Sequence, residues 1–201
     1  MLDAHEVTTL HRTLVARYQE DNLDNPASGL LGIVGSHFEF AFFFWHAEYT
    51  ARNQQATSQQ LADISQTMSR YKQLRNDWIE NIDQAIDARL RKHKVVVADD
   101  APQNSETPGS VIDRLAILSL QIFHLETQAF RTDVAVQYIA SVRRKLSLYQ
   151  DQLHDLAAAL KDLVADLLAG RKRHKVCPHL KIYDDPTLNP HLYSTVNRRA
   201  G

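Results

Sequence analysis

Glycine and proline are scarce in this 201-residue chain, with six of each. Glycine falls at 29, 32, 35, 109, 170 and 201, and proline at 26, 102, 108, 178, 186 and 190. Residues 1–25, 36–101 and 110–169 therefore contain neither. Sheet proteins need turn residues about every 8–12 positions, so an all-β fold is excluded. The chain also lacks G-x-G-x-x-G and G-K-[ST], which argues against Rossmann and P-loop enzymes. Cys177 is the single cysteine, so no internal disulfide forms; with the acidic, polar start Met1-Leu2-Asp3-Ala4-His5-Glu6, this points to the cytoplasm. An excess of one charge is missing as well. Twenty-three Lys and Arg face 24 Asp and Glu, leaving no basic field to favour nucleic acid. The most apolar stretch, Leu30–Trp45, is interrupted by His37 and Glu39 and falls short of the roughly 18 uninterrupted residues a membrane span needs.

What is present is the composition of an ordinary soluble protein, 44% hydrophobic and 23% charged, with length enough for one domain over 1–201. Its patterning is helical. Residues 3–20 read as a first helix, with Val7, Leu10, Leu14 and Tyr18 on one face. Asn25-Pro26 reads as the N-cap and first residue of a second helix running to about Asn53. Thr57-x-x-Gln60 is a capping box for a third, to about His93. A polar loop over 94–108 leads to Thr107-Pro108, or Ser110-x-x-Asp113, opening a fourth helix to about Phe130. Thr132-Asp133 starts a fifth or marks a kink; it ends at Gly170 with basic Arg171-Lys172-Arg173 behind it. Residues 170–201 read as an extended tail on the surface. The fifth helix carries an a/d seam from Ile139 to Leu167, and the third repeats that rhythm with Arg75 in one core position. The second, with Phe38, Phe40, Phe42, Phe43, Phe44 and Trp45 around its axis, reads as buried on all sides. The expected fold is all-α: a single-domain bundle of four to five long helices.

Polar groups on such helices must be satisfied internally. Glu39, His46 and Asn53 share one stripe of the second helix; His37, Glu48 and Arg52 lie opposite. Asp113, Gln121, His124 and Gln128 share a stripe of the fourth, with Asp113 and His124 about 16 Å apart along the axis and so in different layers. Asn76, Glu80, Asp83 and Asp87 line the third beside Arg75. Two readings follow. One is a polar pocket. The other is a set of ion pairs in which Arg52, Arg75 and Arg114 answer Glu48, Glu80, Asp83 and Asp113. A di-iron site requires Glu-x-x-His, which is absent, and His46 and Glu48 point about 200° apart, so no metal or other cofactor is assigned. Gly29, Gly32 and Gly35 admit a close backbone approach or a phosphate cradle. The run Arg171–Lys175 complements a helix C-terminus or meets an acidic partner, and Cys177 reads as incidental.

The segment Asn104-Ser105-Glu106-Thr107-Pro108-Gly109-Ser110-Val111-Ile112-Asp113-Arg114-Leu115 resembles the bacterial family called domain of unknown function 4254. Three further blocks share its pattern: Trp45-His46-Ala47-Glu48 with Ala51-Arg52; Arg75-Asn76 with Ile79-Glu80 and Ile82-Asp83; and Lys181-Ile182-Tyr183-Asp184-Asp185-Pro186 with Leu188-Asn189-Pro190. Tyr49 departs from it, standing where an acidic residue is expected. The resemblance implies a helical fold and an association with glycosyltransferases of surface-polysaccharide synthesis; it implies no activity. The family blocks coincide with the polar groups above. The expected site is a pocket lined by the second, third and fourth helices and closed by the Asn104–Ser110 turn, whose helix N-terminus suits an anion. In it His46, Glu80 and Asp83 handle protons or a divalent ion, while Glu48, Arg52, Arg75, Asn76, Asn104, Ser105, Glu106, Asp113 and His124 bind a phosphorylated or nucleotide-sugar ligand. The rival expectation is a non-catalytic adaptor, docking a glycosyltransferase-type protein or a second copy through the fifth helix and the tail.

Overall fold

A computed structural model describes residues 2–178, 182 and 185–192. It contains five helices: α1 Ala4–Gln19, α2 Gly29–Thr50, α3 Ser58–Lys92, α4 Pro108–Ala129 and α5 Val136–Leu168, with no β-strand among the described residues. The fold is an all-α bundle, as its sequence predicts.

The capping chemistry sets most helix boundaries. Asp3 accepts from the His5 N–H to open α1. Thr57 and Gln60 form the reciprocal capping box of α3, and Thr107 caps α4 with Pro108 in the first turn. Gly170, at φ +68°, ends α5 in a Schellman turn: the Arg171 N–H bonds to the Asp166 carbonyl at 2.9 Å and the Gly170 N–H to that of Leu167 at 3.2 Å. Two boundaries differ from expectation. Asn25-Pro26 does not open α2, which begins three residues later behind Ser28. The Asn25 side chain instead accepts from the Ala27 N–H and donates to the Gly32 carbonyl, folding residues 25–27 against the helix. Gly35 leaves room for it, since a Cβ there would lie 2.4 Å from that amide. The early glycines of α2 thus serve a close approach. Thr132-Asp133 does not cap α5 either. Asp133 is held bidentately by Arg131 in the connection, and the helix starts after Ala135.

Contacts fix the directions. α1 runs parallel to α2, since His11 stacks on Phe38 with centroids 4.8 Å apart and Tyr18 meets Phe42. Residues 20–28 must therefore run back along the bundle. Nine extended residues reach about 30 Å, enough to retrace the roughly 24 Å of α1. α2 and α3 form one antiparallel hairpin, with Phe43 stacked on Tyr71. α4 and α5 form another, with the Tyr138 hydroxyl on Gln128. A continuous core draws on all five helices, including Leu14, Phe38, Ile82, Ile112, Leu115 and Leu160. α4 lies at its centre and touches every other helix, whereas α3 and α5 barely meet. That splay leaves a cleft between the hairpins. It also explains why α2 is not buried all round: Phe44 and Trp45, half-buried, and Tyr49, exposed, line a cavity of that cleft.

Beyond Gly170 the described tail is non-helical. Arg173 donates its N–H to the Pro102 carbonyl and its guanidinium to that of Asp99, pairing with Gln103 in a single parallel bridge. Arg171 and Lys172 pair with Asp166 at the end of α5, so the basic run is used within the chain. Of the block around Pro186, Lys181, Tyr183 and Asp184 lie outside the described residues, as do residues 193–201 of the expected tail.

Candidate functional site

At the floor of the cleft, three helices meet through polar side chains. Asp113, one turn inside α4 and 8% exposed, accepts at Oδ1 from His37 Nε2 of α2 at 2.9 Å. It also accepts from Arg75 of α3, from Nε to Oδ1 at 2.5 Å and from Nη2 to Oδ2 at 2.7 Å. A fork of this kind is the strong form of a carboxylate–guanidinium pair. The core position that α3 gives to an arginine is thus matched by a buried carboxylate. Burial alone would raise the Asp113 carboxyl, but the hydrogen bonds from Arg75 and His37 outweigh it and hold it well below the usual carboxylate range. The Arg75 guanidinium also lies 5.6 Å from the Phe44 ring centroid. Behind His37 lies His11 of α1, fully buried, with no hydrogen bond to its ring from a side chain among the described residues. Burial, helped by His37, pulls its pKa down to about 3.

Three cavities follow one another along this face. The first, about 570 Å³, has an aromatic wall of Phe44, Trp45 and Tyr49 and is lined by Glu48, Arg52, Arg75 and Ile117. It shares Arg75 and Ile117 with a second of about 540 Å³ over Asp113, between α4 and α5. It shares Trp45 and Tyr49 with a third of about 220 Å³, where His46 and His124 are walls. In the third, His46 lies against Phe42 and 3.4 Å from the Gln19 amide, and partial burial lowers its pKa, favouring the neutral imidazole. The His124 ring sits beside Tyr49. The first two volumes are in the range of small-molecule sites, roughly 300–1,000 Å³, and the third is smaller.

Six of the residues expected in the site therefore share this face: His46, Glu48, Arg52, Arg75, Asp113 and His124. The others line none of these three cavities. Asp83, 3% exposed, accepts the Gly109 N–H at 2.7 Å and so fills the α4 N-terminus with the chain's own carboxylate. Its carbonyl accepts from His174 of the tail. Glu80 accepts from Gln84 along α3, and Asn76 is half-buried on the same helix. Glu106 takes a two-oxygen contact from Arg114, and Asn104 bonds to the Glu106 carbonyl and Lys172. Ser105 is exposed. The Asn104–Ser110 turn is thus fastened to α3 and the tail and does not gather His46, Glu80 and Asp113 around one pocket. Sequence reasoning passed over His11 and left His37 outside the site. His11 falls on the core face set by Val7, Leu14 and Tyr18, a spacing that could have found it. The all-round apolar pattern of α2 assigns the aromatic wall to the core.

Among the described residues no group of three or more His, Cys, Asp or Glu side chains is placed to hold a metal ion, and no helix is long and apolar enough to cross a membrane. A family model described as protein of unknown function (DUF4254) matches residues 32–176, which takes in the cleft but not α1. The blocks around Trp45, Arg75 and Asn104 lie inside that span and the Lys181–Pro190 block outside it. No curated protein and no solved structure matches the chain.

Proposed function

This chain belongs to the family described as protein of unknown function (DUF4254), and because that description assigns no reaction, we propose its function from the cleft: binding of a phosphorylated ligand that carries a planar ring, of the nucleotide-sugar class. The observation that carries the reading is that Arg75 and a second arginine, Arg52, line one cavity of about 570 Å³ together with an aromatic wall. Phe44, Trp45 and Tyr49 offer faces for a base, and the arginines offer forked donors for phosphate oxygens. Both arginines are already paired, so charge alone does not decide the matter. Asp113 takes two of the five N–H groups of Arg75, which leaves three for a ligand. The Arg52–Glu48 pair is at the surface, with the arginine side chain 70% exposed, and such pairs are worth at most about 1 kcal/mol. Arg52 can therefore turn to a phosphate at little cost. His46, neutral and facing His124 across the adjoining cavity, is the group placed to move a proton. The setting in bacterial surface-polysaccharide metabolism and the cytoplasmic location are part of the proposal; they rest on the family resemblance and on cysteine usage.

Thermal unfolding across nucleotides, sugar phosphates and nucleotide-sugars tests this. A true ligand at a hundred times its Kd adds about 2.7 kcal/mol, a rise of roughly 5 °C or more for a chain of this size. Arg52→Ala and Trp45→Ala are expected to weaken binding at least fivefold, and Arg52→Ala to leave the free protein's melting nearly unchanged. A melting temperature that no ligand in the panel moves sinks the reading. A second reading, the adaptor, draws on Phe130 and Val136, 84% and 80% exposed at the α4–α5 corner. In that case Phe130→Asp with Val136→Asp abolishes function in vivo while Arg52→Ala does not.

A further inference from the structure

The cavity on the far side of Arg75 has a composition unlike the aromatic one. α4 presents Ile117, Leu118 and Gln121 to it, and α5 presents Gln152, Asp155 and Leu156. The spacings 117, 118, 121 and 152, 155, 156 put each set on one helical stripe, so the two stripes face each other over an apolar floor. Gln121, Gln152 and Asp155 have no hydrogen bond or ion pair to other described residues. The other polar groups lining this cavity are already paired, Arg75 with Asp113 and Arg114 with Glu106, as is Arg52 with Glu48 in the aromatic one. Two amides and a carboxylate together donate and accept, whereas a phosphate needs donors only. That mixture matches vicinal hydroxyl groups, and the leucine and isoleucine floor matches the C–H face of a sugar ring.

We propose that this second cavity is a sugar subsite, with Gln121, Gln152 and Asp155 as specificity-determining residues that bind the hydroxyls of a pyranose whose phosphates lie at Arg75. The assignment rests on the proposed function, because the order of cavities, aromatic wall, arginine, then hydroxyl-binding groups, reproduces the order base, phosphate, sugar. It also goes beyond that reading, since a nucleotide alone would leave these three side chains unused. The cavity of about 540 Å³ has room for a hexose. Both α5 residues are exposed, so replacing them leaves the fold intact.

The test measures the affinity of the full chain, by calorimetry, for four nucleoside diphosphates, each beside its hexose conjugate. In the wild type at least one conjugate is expected to bind about tenfold more tightly than its parent, the worth of one to two net hydrogen bonds. In Gln152→Leu/Asp155→Leu that advantage shrinks to within about twofold while the parent's affinity is unchanged. Equal binding of conjugate and parent by the wild type, or an advantage that survives the double substitution, overturns the sugar subsite and leaves the nucleotide reading standing. Binding of neither class overturns both.

Discussion

Arg75 occupies a position that the helical repeat of α3 reserves for a core side chain, and its partner Asp113 is buried as deeply as many apolar residues. Removing one member of such a pair strands the other. Asp113→Ala should therefore destabilise the protein by about 3 kcal/mol or more, whereas Arg52→Ala, at the exposed pair, should stay within about 1 kcal/mol, both read from urea unfolding. His11 makes a different prediction. Its folded pKa of about 3 lies below the ordinary 6.5, so the unfolded chain binds the extra proton between those values. Its contribution is complete above pH 6.5 and is lost as the pH falls toward 3. Asp113, held low by Arg75 and His37, adds a loss of the same sign below about pH 3.8. His11→Leu replaces a fully buried imidazole that no side chain hydrogen-bonds, at similar volume. It should match or exceed the wild type in stability at pH 7 and lose less of it between pH 6.5 and 4.5; an unchanged pH slope would show that other groups carry the acid sensitivity.

Helix ends were the most legible elements, where the signal was local. The Thr57 capping box, Thr107-Pro108 and Gly170 each act through hydrogen bonds within a few residues, so the sequence carries the whole mechanism. Asn25 misled because its side chain had two uses, and the turn at 25–27 outcompeted the cap. The start of α4 shows what lies beyond local reading. Its anion site is filled by Asp83, 26 residues away, and Gly109 is needed because a Cβ would stand 2.6 Å from the Ile79 carbonyl oxygen. Gly109→Ala should push α4 off α3 and cost about 2 kcal/mol, a melting drop of roughly 4–8 °C, while Thr57→Ala costs about 1 kcal/mol. Equal effects from the two would mean that the α3–α4 contact gives way easily.

At the scale of the whole molecule, two hairpins diverge around α4, and α1 packs against α2, α4 and α5, with Val15 and Gln19 lining the third cavity. The family match begins at residue 32, which leaves α1 outside it, yet α1 buries Val7, Leu10, Leu14, Val15 and Tyr18. At about 1.5–3 kcal/mol per buried large side chain this is comparable with the roughly 5–15 kcal/mol that holds a domain together. A chain beginning at Gly29 should lose its cooperative melting transition and bind a hydrophobic dye. A sharp transition near the wild-type temperature would show that α1 is dispensable.

The sequence by itself determined the helices, their seams and most of their caps, because periodicity and capping act over a few residues. It also marked the polar residues that needed partners. Tertiary structure alone decided which partner each received: Asp113 went to Arg75 and His37, and Asp83 to the α4 N-terminus. It likewise decided that the aromatic half of α2 would wall a cleft instead of filling a core. Those outcomes depend on the splay between α3 and α5, which arises from packing between segments far apart in the chain and leaves no trace in any one of them.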